Sequence, residues 1–167
     1  MSSYLLITNQ GYYHFGQLLY YQFLRNDPSE QDDSQTRVYA DRCKAHATGL
    51  CEITYRAYAT PGAEVYYTMV GHVLTIASTV QLHILLFSSD DAQIAAARQR
   101  LERNFVIITR LQQLWPVLDI SRTRFEEFHK LCLERSSMSC FKLDYWMLRF
   151  LLDFAKPISA DEPRMLD

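Results

Sequence analysis

The sequence predicts an all-α protein, a bundle of about six helices, and three observations support this fold class. First, 49% of the residues are hydrophobic and 13% are aromatic, so the chain has enough apolar surface to fold. Second, only five glycines and five prolines interrupt it, which leaves long runs without helix breakers. Third, no segment of useful length alternates apolar and polar residues with the period of a strand. The length suits a single domain, residues 1–155, followed by a tail, 156–167, that we expect to fray.

The first two predicted helices are residues 12–25 and 38–58. The first, YYHFGQLLYYQFLR, is aromatic and apolar almost all round, which predicts contacts on more than one side. The acidic, turn-forming sequence NDPSEQDDSQT separates it from the second helix, which ends at the turn signal Thr60-Pro61-Gly62.

The third predicted helix, residues 65–87, carries no Asp, Glu, Lys or Arg over 23 positions. That length could span a membrane, but polar residues recur every three or four positions and therefore share one narrow stripe. The stripe consists of Thr68, His72, Thr75, Thr79 and His83. It favours a buried central helix whose hydroxyls and imidazoles bond to nearby backbone. The alternative is a polar strip that lines a small-molecule cavity between helices, which makes these five residues the candidate ligand site.

Two further helices are predicted, residues 90–115 and a helix that begins at Asp119 or Ser121 and ends near residue 135. Residues 88–91, SSDD, supply N-cap candidates and acidic side chains that favour the positive end of a helix dipole. Pro116 ends the first of these helices, because proline cannot continue the hydrogen-bond ladder.

Large apolar side chains form a stripe along the fourth predicted helix, and similar residues continue on the fifth. We expect them to point inward as the structural core: Leu101, Phe105, Ile108, Trp115, Phe125 and Phe128. On a different side, the stems of Arg103 and Arg110 are expected to cover apolar surface. The last predicted helix, residues 141–154, is almost wholly apolar.

Charge and cysteine spacing argue against several functions. The formal net charge is -2, so no global field attracts a polyanion, and strong nonspecific nucleic-acid binding is not expected. The cysteines form two pairs, Cys43 with Cys51 and Cys132 with Cys140, each with seven intervening residues. On a helix that separation is about 12 Å, too long for two ligands of one zinc ion. We therefore expect reduced, buried thiols in an intracellular protein, with no metal and no cofactor.

Catalytic patterns are equally weak. Cys132 lies three residues after His129, a spacing that is common by chance. No phosphate-binding glycine loop, nucleophile elbow or metalloprotease helix accompanies the pair. The sequence therefore predicts a non-enzymatic protein without catalytic residues.

Part of the chain, about residues 12–135, resembles a known family. The resemblance is carried by Arg98-x-Arg100-Leu101-x-x-Asn104-Phe105-x-Ile107-Ile108-x-x-Leu111-x-x-x-Trp115-Pro116, and then by Phe125-x-x-Phe128-His129. Upstream, ASTVQLH (residues 77–83) and GQLLYY (residues 16–21) are similar to preceding helices of the same family. The family is the regulatory, or middle homology, region of fungal transcription factors with a binuclear zinc-cluster DNA-binding unit, and the match is to its C-terminal part.

The resemblance implies an all-helical, partial version of a nuclear regulatory domain that controls RNA polymerase II transcription. It implies contact with the transcription machinery or a full-length factor, and a small-molecule effector. The polar stripe in residues 65–87 separately argues against a membrane partner. No cysteine cluster precedes Tyr4, so direct contact of this chain with nucleic acid is not expected. The alternative is a free-standing helical module that sequesters a small molecule or dimerises with a full-length factor. The apolar segments 12–25 and 141–154 would then be covered by self-association.

Overall fold

The computed structural model of the protein describes residues 3–26, 34–63, 66–136 and 141–142, and it confirms the all-α character. Side chains are described for residues 8–24, 34–63, 66–127 and 130. Five α-helices make up most of the described chain: α1 (Ser3–Tyr20), α2 (Ser34–Ala59), α3 (Thr68–Phe87), α4 (Asp91–Leu114) and α5 (Leu118–Ser136). A 3-10 turn, Tyr21–Phe23, follows α1, and a two-residue antiparallel pair joins β1 (Arg25–Asn26) to β2 (Phe141–Lys142).

The first and last predicted helices need correction. Helix α1 begins at Ser3 rather than residue 12, because the uncharged residues before the aromatic run continue the same helix. It ends at Tyr20, and the chain is extended at Arg25–Asn26. Phe141–Lys142 are also extended, because they pair with β1, so no helix begins at Phe141. The rest of the predicted helix, residues 143–154, and the predicted tail, 156–167, lie outside the described residues.

Helix α3 is the central element of the fold. Residues 70–84 are all buried, and α1, α2, α4 and α5 contact the helix. Helix α5 approaches it closely at Gly71, where an added Cβ would overlap the side chain of Leu118. By length and composition α3 could cross a membrane, with a mean hydropathy of 1.6, but 83% of that stretch is buried among other helices. Its apolar composition is therefore accounted for by packing.

Helices α1 and α2 interlock through two glycines. Gly16 of α1 faces the ring of His46 on α2, and Gly49 of α2 faces the ring of Tyr13 on α1. A Cβ at either glycine would overlap the facing ring. Each helix thus supplies a gap for an aromatic or imidazole side chain of the other, which brings the two backbones close together.

Helix α4 begins and ends where local sequence predicts. The Asp90 carboxylate accepts hydrogen bonds from the backbone N–H groups of Ala92 (2.8 Å) and Gln93 (3.3 Å), as an N-cap residue does. At the other end, the Trp115 N–H still donates to the carbonyl of Leu111, and Pro116 follows. The next helix, α5, already begins at Leu118, so Asp119 and Ser121 lie within its first turns rather than before it.

The inward face of α4 differs from the predicted stripe. Leu101, Ile108 and, on α5, Phe125 are buried, but Phe105 is 37% exposed and Trp115 is 42% exposed. Phe105 lies at the edge of the buried face, against the ring of Phe125 at 5.2 Å. Trp115 follows the last residue of the helix, so the helical period no longer determines its direction. The side chain of Phe128 lies outside the described set.

Candidate functional site

The polar stripe of α3 uses its hydroxyls in local and interhelical hydrogen bonds. Thr75 Oγ1 donates to the Gly71 carbonyl at 2.8 Å, and Thr79 Oγ1 donates to the Ile76 carbonyl at 2.7 Å. The Tyr21 hydroxyl lies 2.6 Å from Thr79 Oγ1, which ties the end of α1 to the middle of α3. Thr68, in the first turn of the helix, is half-buried. Thr75 thus bonds within α3, whereas Thr79 also links α3 to the 3-10 turn that follows α1.

His72 of the stripe packs against a second buried histidine, His14 of α1. The ring centroids are 6.2 Å apart in an edge-on arrangement, and His14 Nδ1 lies 3.2 Å from Gln17 Nε2. Burial lowers the pKa of His14 to about 4. Burial, and then the proximity of His14, lowers the pKa of His72 to about 4. Both rings are therefore neutral near pH 7 and form a junction between α1 and α3.

His83 ends the stripe in a different environment. It is buried beside the ring of Phe87, with centroids 5.0 Å apart. Neither ring nitrogen has a hydrogen-bond partner among the described residues. Burial, followed by the positive charge of Lys44, lowers the pKa of His83 to about 3. A neutral imidazole without partners costs free energy in the folded state, since both nitrogens lose their hydrogen bonds to water.

A second buried polar cluster joins α2, α3 and α4 around Asn104, which is fully buried. The Tyr55 hydroxyl donates to Asn104 Oδ1 at 2.6 Å. Asn104 Nδ2 in turn donates to Ser78 Oγ at 2.9 Å and approaches Cys51 Sγ at 3.4 Å. The sequence interpretation gave Asn104 no structural role. The available signal was an amide among apolar residues at helical spacing on α4.

A third cluster connects α1, α2 and the segment before α3. The Tyr67 hydroxyl donates to Gln10 Oε1 at 2.9 Å, and Gln10 Nε2 donates to Thr54 Oγ1 at 3.3 Å. Thr54 Oγ1 itself donates to the Leu50 carbonyl at 2.8 Å. Together with the Asn104 cluster, this network links α1, α2, α3 and α4 through buried hydrogen bonds that would be lost if the helices shifted.

The cysteines with described side chains, Cys43 and Cys51, are free and buried, as predicted. Burial raises the pKa of their thiols to about 12 and about 11 respectively, so both stay protonated near pH 7. Within residues 8–24, 34–63, 66–127 and 130, no group of three or more His, Cys, Asp or Glu side chains could hold a metal ion. The side chains of Cys132 and Cys140 lie outside these ranges.

A surface groove of about 480 Å³ lies between the C-terminal half of α2 and α4. Tyr55, Tyr58 and Ala59 line one side, and Arg103 and Val106 are among the residues of the other. The Arg103 guanidinium lies 5.4 Å from the centre of the Tyr55 ring, as a cation over an aromatic face does. None of the five residues of the predicted ligand site lines this groove.

An exposed aromatic contact lies at the end of α4. Trp115 Nε1 donates a hydrogen bond to the carbonyl of Tyr66, and the rings of Tyr58 and Tyr66 are 6.0 Å apart. Tyr66, Met69, Leu114 and Trp115 are all exposed, and we call these four residues the Trp115 corner. The indole that was expected in the core thus joins α4 to the segment before α3 and remains at the surface.

These features define the class of the protein as an all-α domain with buried polar junctions and an exposed aromatic corner. Comparison of the chain with protein-family models, with curated proteins and with solved structures gave no match.

Proposed function

We propose that the chain is a non-enzymatic regulatory module of a nuclear transcription factor, of the fungal binuclear zinc-cluster type, and that it acts by contact with another protein. The observation that carries the proposal is the position of the family-like run. From Arg98 to Pro116 it covers most of α4 and the two residues after it, and it includes Leu114 and Trp115 of the Trp115 corner. The element with the strongest resemblance therefore lies at an exposed aromatic surface.

The chemistry of the Trp115 corner supports a protein contact. Tryptophan, tyrosine and methionine are enriched in protein interfaces, where large side chains with little conformational freedom supply binding energy. The corner is also held in place, because the backbone and the indole of Trp115 both donate hydrogen bonds to neighbouring carbonyls. An exposed apolar cluster that is already ordered loses little entropy on binding.

The proposal assigns the regulatory effect to this surface rather than to the α3 stripe. The hydroxyls of Thr75 and Thr79 are engaged with backbone carbonyls, and His72 packs against His14. The expected partner is a component of the transcription machinery or a full-length factor. The proposal includes no DNA contact, since the net charge of -2 gives the chain no general attraction for a polyanion.

A reporter assay tests the proposal. The chain is fused to an unrelated DNA-binding domain in yeast, and transcription from a reporter with the matching site is compared with that of the DNA-binding domain alone. We expect the fusion to change transcription severalfold. Met69→Ser and Leu114→Ser should reduce that change, because both side chains are exposed in the corner.

Val38→Ser is the matched control. Val38 is an exposed apolar residue near the N-terminal end of α2, whereas Tyr58, which contacts Tyr66 of the corner, lies near the C-terminal end. Val38→Ser should leave the effect intact. A well-expressed fusion without any effect on transcription would refute the proposal. Corner variants that act like the natural fusion would refute the assignment to the Trp115 corner.

A further inference from the structure

Helix α1 carries a second exposed apolar surface, independent of the Trp115 corner. Tyr12, Phe15 and Leu19 are 64%, 70% and 64% exposed. Thr8 is exposed too, and the four positions recur at intervals of four, three and four residues. This is the spacing of a seam that packs against another helix. We call these four residues the α1 seam.

The rest of α1 shows that the seam is unusual for a surface helix. The opposite face is buried by Gln10, His14 and Gln17, and Tyr21 continues it into the 3-10 turn. Between Ser3 and Leu24 there is no Asp, Glu, Lys or Arg on either face. A helix that faces water normally carries charges on its outer side, whereas one without them is covered on more than one side.

We propose that residues 143–154 of the same chain, LDYWMLRFLLDF, dock on the α1 seam. The β1 and β2 pair supplies the first reason. Asn26 pairs with Phe141 and Arg25 with Lys142 in antiparallel register. At Lys142 the direction of β2 is therefore towards Leu24, which follows α1 and its 3-10 turn.

Length and pattern supply the second reason. Six large apolar residues of the segment recur at helical spacing: Leu143, Trp146, Met147, Phe150, Leu151 and Phe154. Twelve helical residues would extend about 18 Å, whereas Tyr12 to Leu19 spans about 10 Å along α1. The segment is thus long enough to cover all three large side chains of the seam.

The size of the seam favours a tethered segment over a second copy of the chain. Stable complexes between separate proteins bury about 1,200–2,000 Å². Three large side chains on one helix face offer less than that. A segment joined to the same chain has an effective concentration in the millimolar range, so a small apolar contact is enough to hold it.

Tryptophan fluorescence tests the docking in the full chain. The sequence has two tryptophans, so Trp115→Phe leaves Trp146 of the segment as the sole emitter. We expect the emission of Trp146 at the short wavelengths of a buried indole. In a Phe15→Ser/Leu19→Ser variant the emission should move to longer wavelength, whereas Val38→Ser should leave it unchanged.

Circular dichroism checks that each variant is folded, and light scattering reports its mass. If Trp115→Phe fails to fold, 5-fluorotryptophan in the otherwise natural chain gives the same readout from two resolved fluorine signals. Emission of Trp146 at the long wavelengths of a solvent-exposed indole would overturn the proposal. Short-wavelength emission that does not change in the Phe15→Ser/Leu19→Ser variant would overturn it too. So would short-wavelength emission that is found only when light scattering reports a dimer.

Discussion

Helices α1 and α3 have the same kind of composition and very different surroundings. Neither carries a charged residue. In α3, residues 70–84 are all buried, because four other helices contact it. In α1, buried and exposed residues alternate with the helical period, and Tyr12, Phe15 and Leu19 face outward. An uncharged helix therefore indicates contacts on several sides, but its sequence does not say which segment makes them.

The largest expected effect is a loss of stability at acidic pH, which arises from the buried histidines of the two helices. The folded-state pKa values of His14, His72 and His83 lie below the ordinary value of 6.5, at about 4, about 4 and about 3. The unfolded chain thus binds more protons, and stability falls as pH drops below about 6.5. Each group contributes up to about 1.4 kcal/mol per pH unit until its folded pKa is reached.

Urea unfolding at pH 7, 6 and 5 measures this loss, which we expect to reach several kcal/mol. His83→Leu should make the loss shallower and raise stability at pH 7, because it removes an imidazole whose nitrogens have no described partners. A urea midpoint of unfolding that stays constant from pH 7 to pH 5 would contradict the burial of these histidine rings.

The next effect concerns the core around α3. Leu74→Ala should lower the free energy of unfolding by about 3 to 5 kcal/mol, since Leu74 is fully buried and the cavity would be surrounded by packed helices. Leu114→Ala is the matched control on an exposed leucine and should cost less than about 1 kcal/mol. Chemical denaturation compares the two, and equal costs would refute the difference in burial.

A smaller effect sharpens the role of α1. Gly16→Ala should destabilise the protein by about 1 to 3 kcal/mol, because the new methyl group overlaps the ring of His46. Gly11→Ala lies on the same helix with nothing within 4 Å, and should stabilise it by about 0.5 to 1 kcal/mol through helix propensity. Thermal unfolding followed by circular dichroism measures both. The opposite order of the two variants would mean that α1 does not pack on α2 through Gly16.

The smallest effect is at the Trp115 corner. Trp115→Phe removes the indole hydrogen bond to Tyr66 but keeps an aromatic ring, and should cost about 0.5 to 1.5 kcal/mol. Full burial of Trp115 would make the cost larger, because repacking a core indole also leaves a cavity. A loss above about 3 kcal/mol in urea unfolding would show that this side chain is buried after all.

Much of the fold was predictable because it depends on neighbours in the sequence. The Asp90 cap and the stop before Pro116 each involve groups within four residues of each other. The polar stripe of α3 was also found from its spacing, and Thr75 and Thr79 bond to carbonyls one turn earlier. The start of α1 was not found, since the uncharged residues 3–11 carry no start signal that distinguishes them from a loop.

The candidate site depended on partners that are far away in the chain. Asn104 is buried because Ser78 and Tyr55 offer it hydrogen bonds, whereas its neighbour Phe105 lies at the edge of the same face. Apolar periodicity predicts that Phe105 is the more buried of the two, because it takes account of side-chain hydropathy and not of available hydrogen-bond partners.

The sequence by itself determined the all-α class, the central position of α3 and the ends of α4, because helical period and capping are local properties. Only the tertiary structure decided that Trp115 stays at the surface beside Tyr66, and that Phe141–Lys142 pair with Arg25–Asn26. Those outcomes depend on contacts between segments 49 residues apart in the first case and more than a hundred in the second. No local pattern specifies such contacts, since they follow from how the helices fill the space around α3.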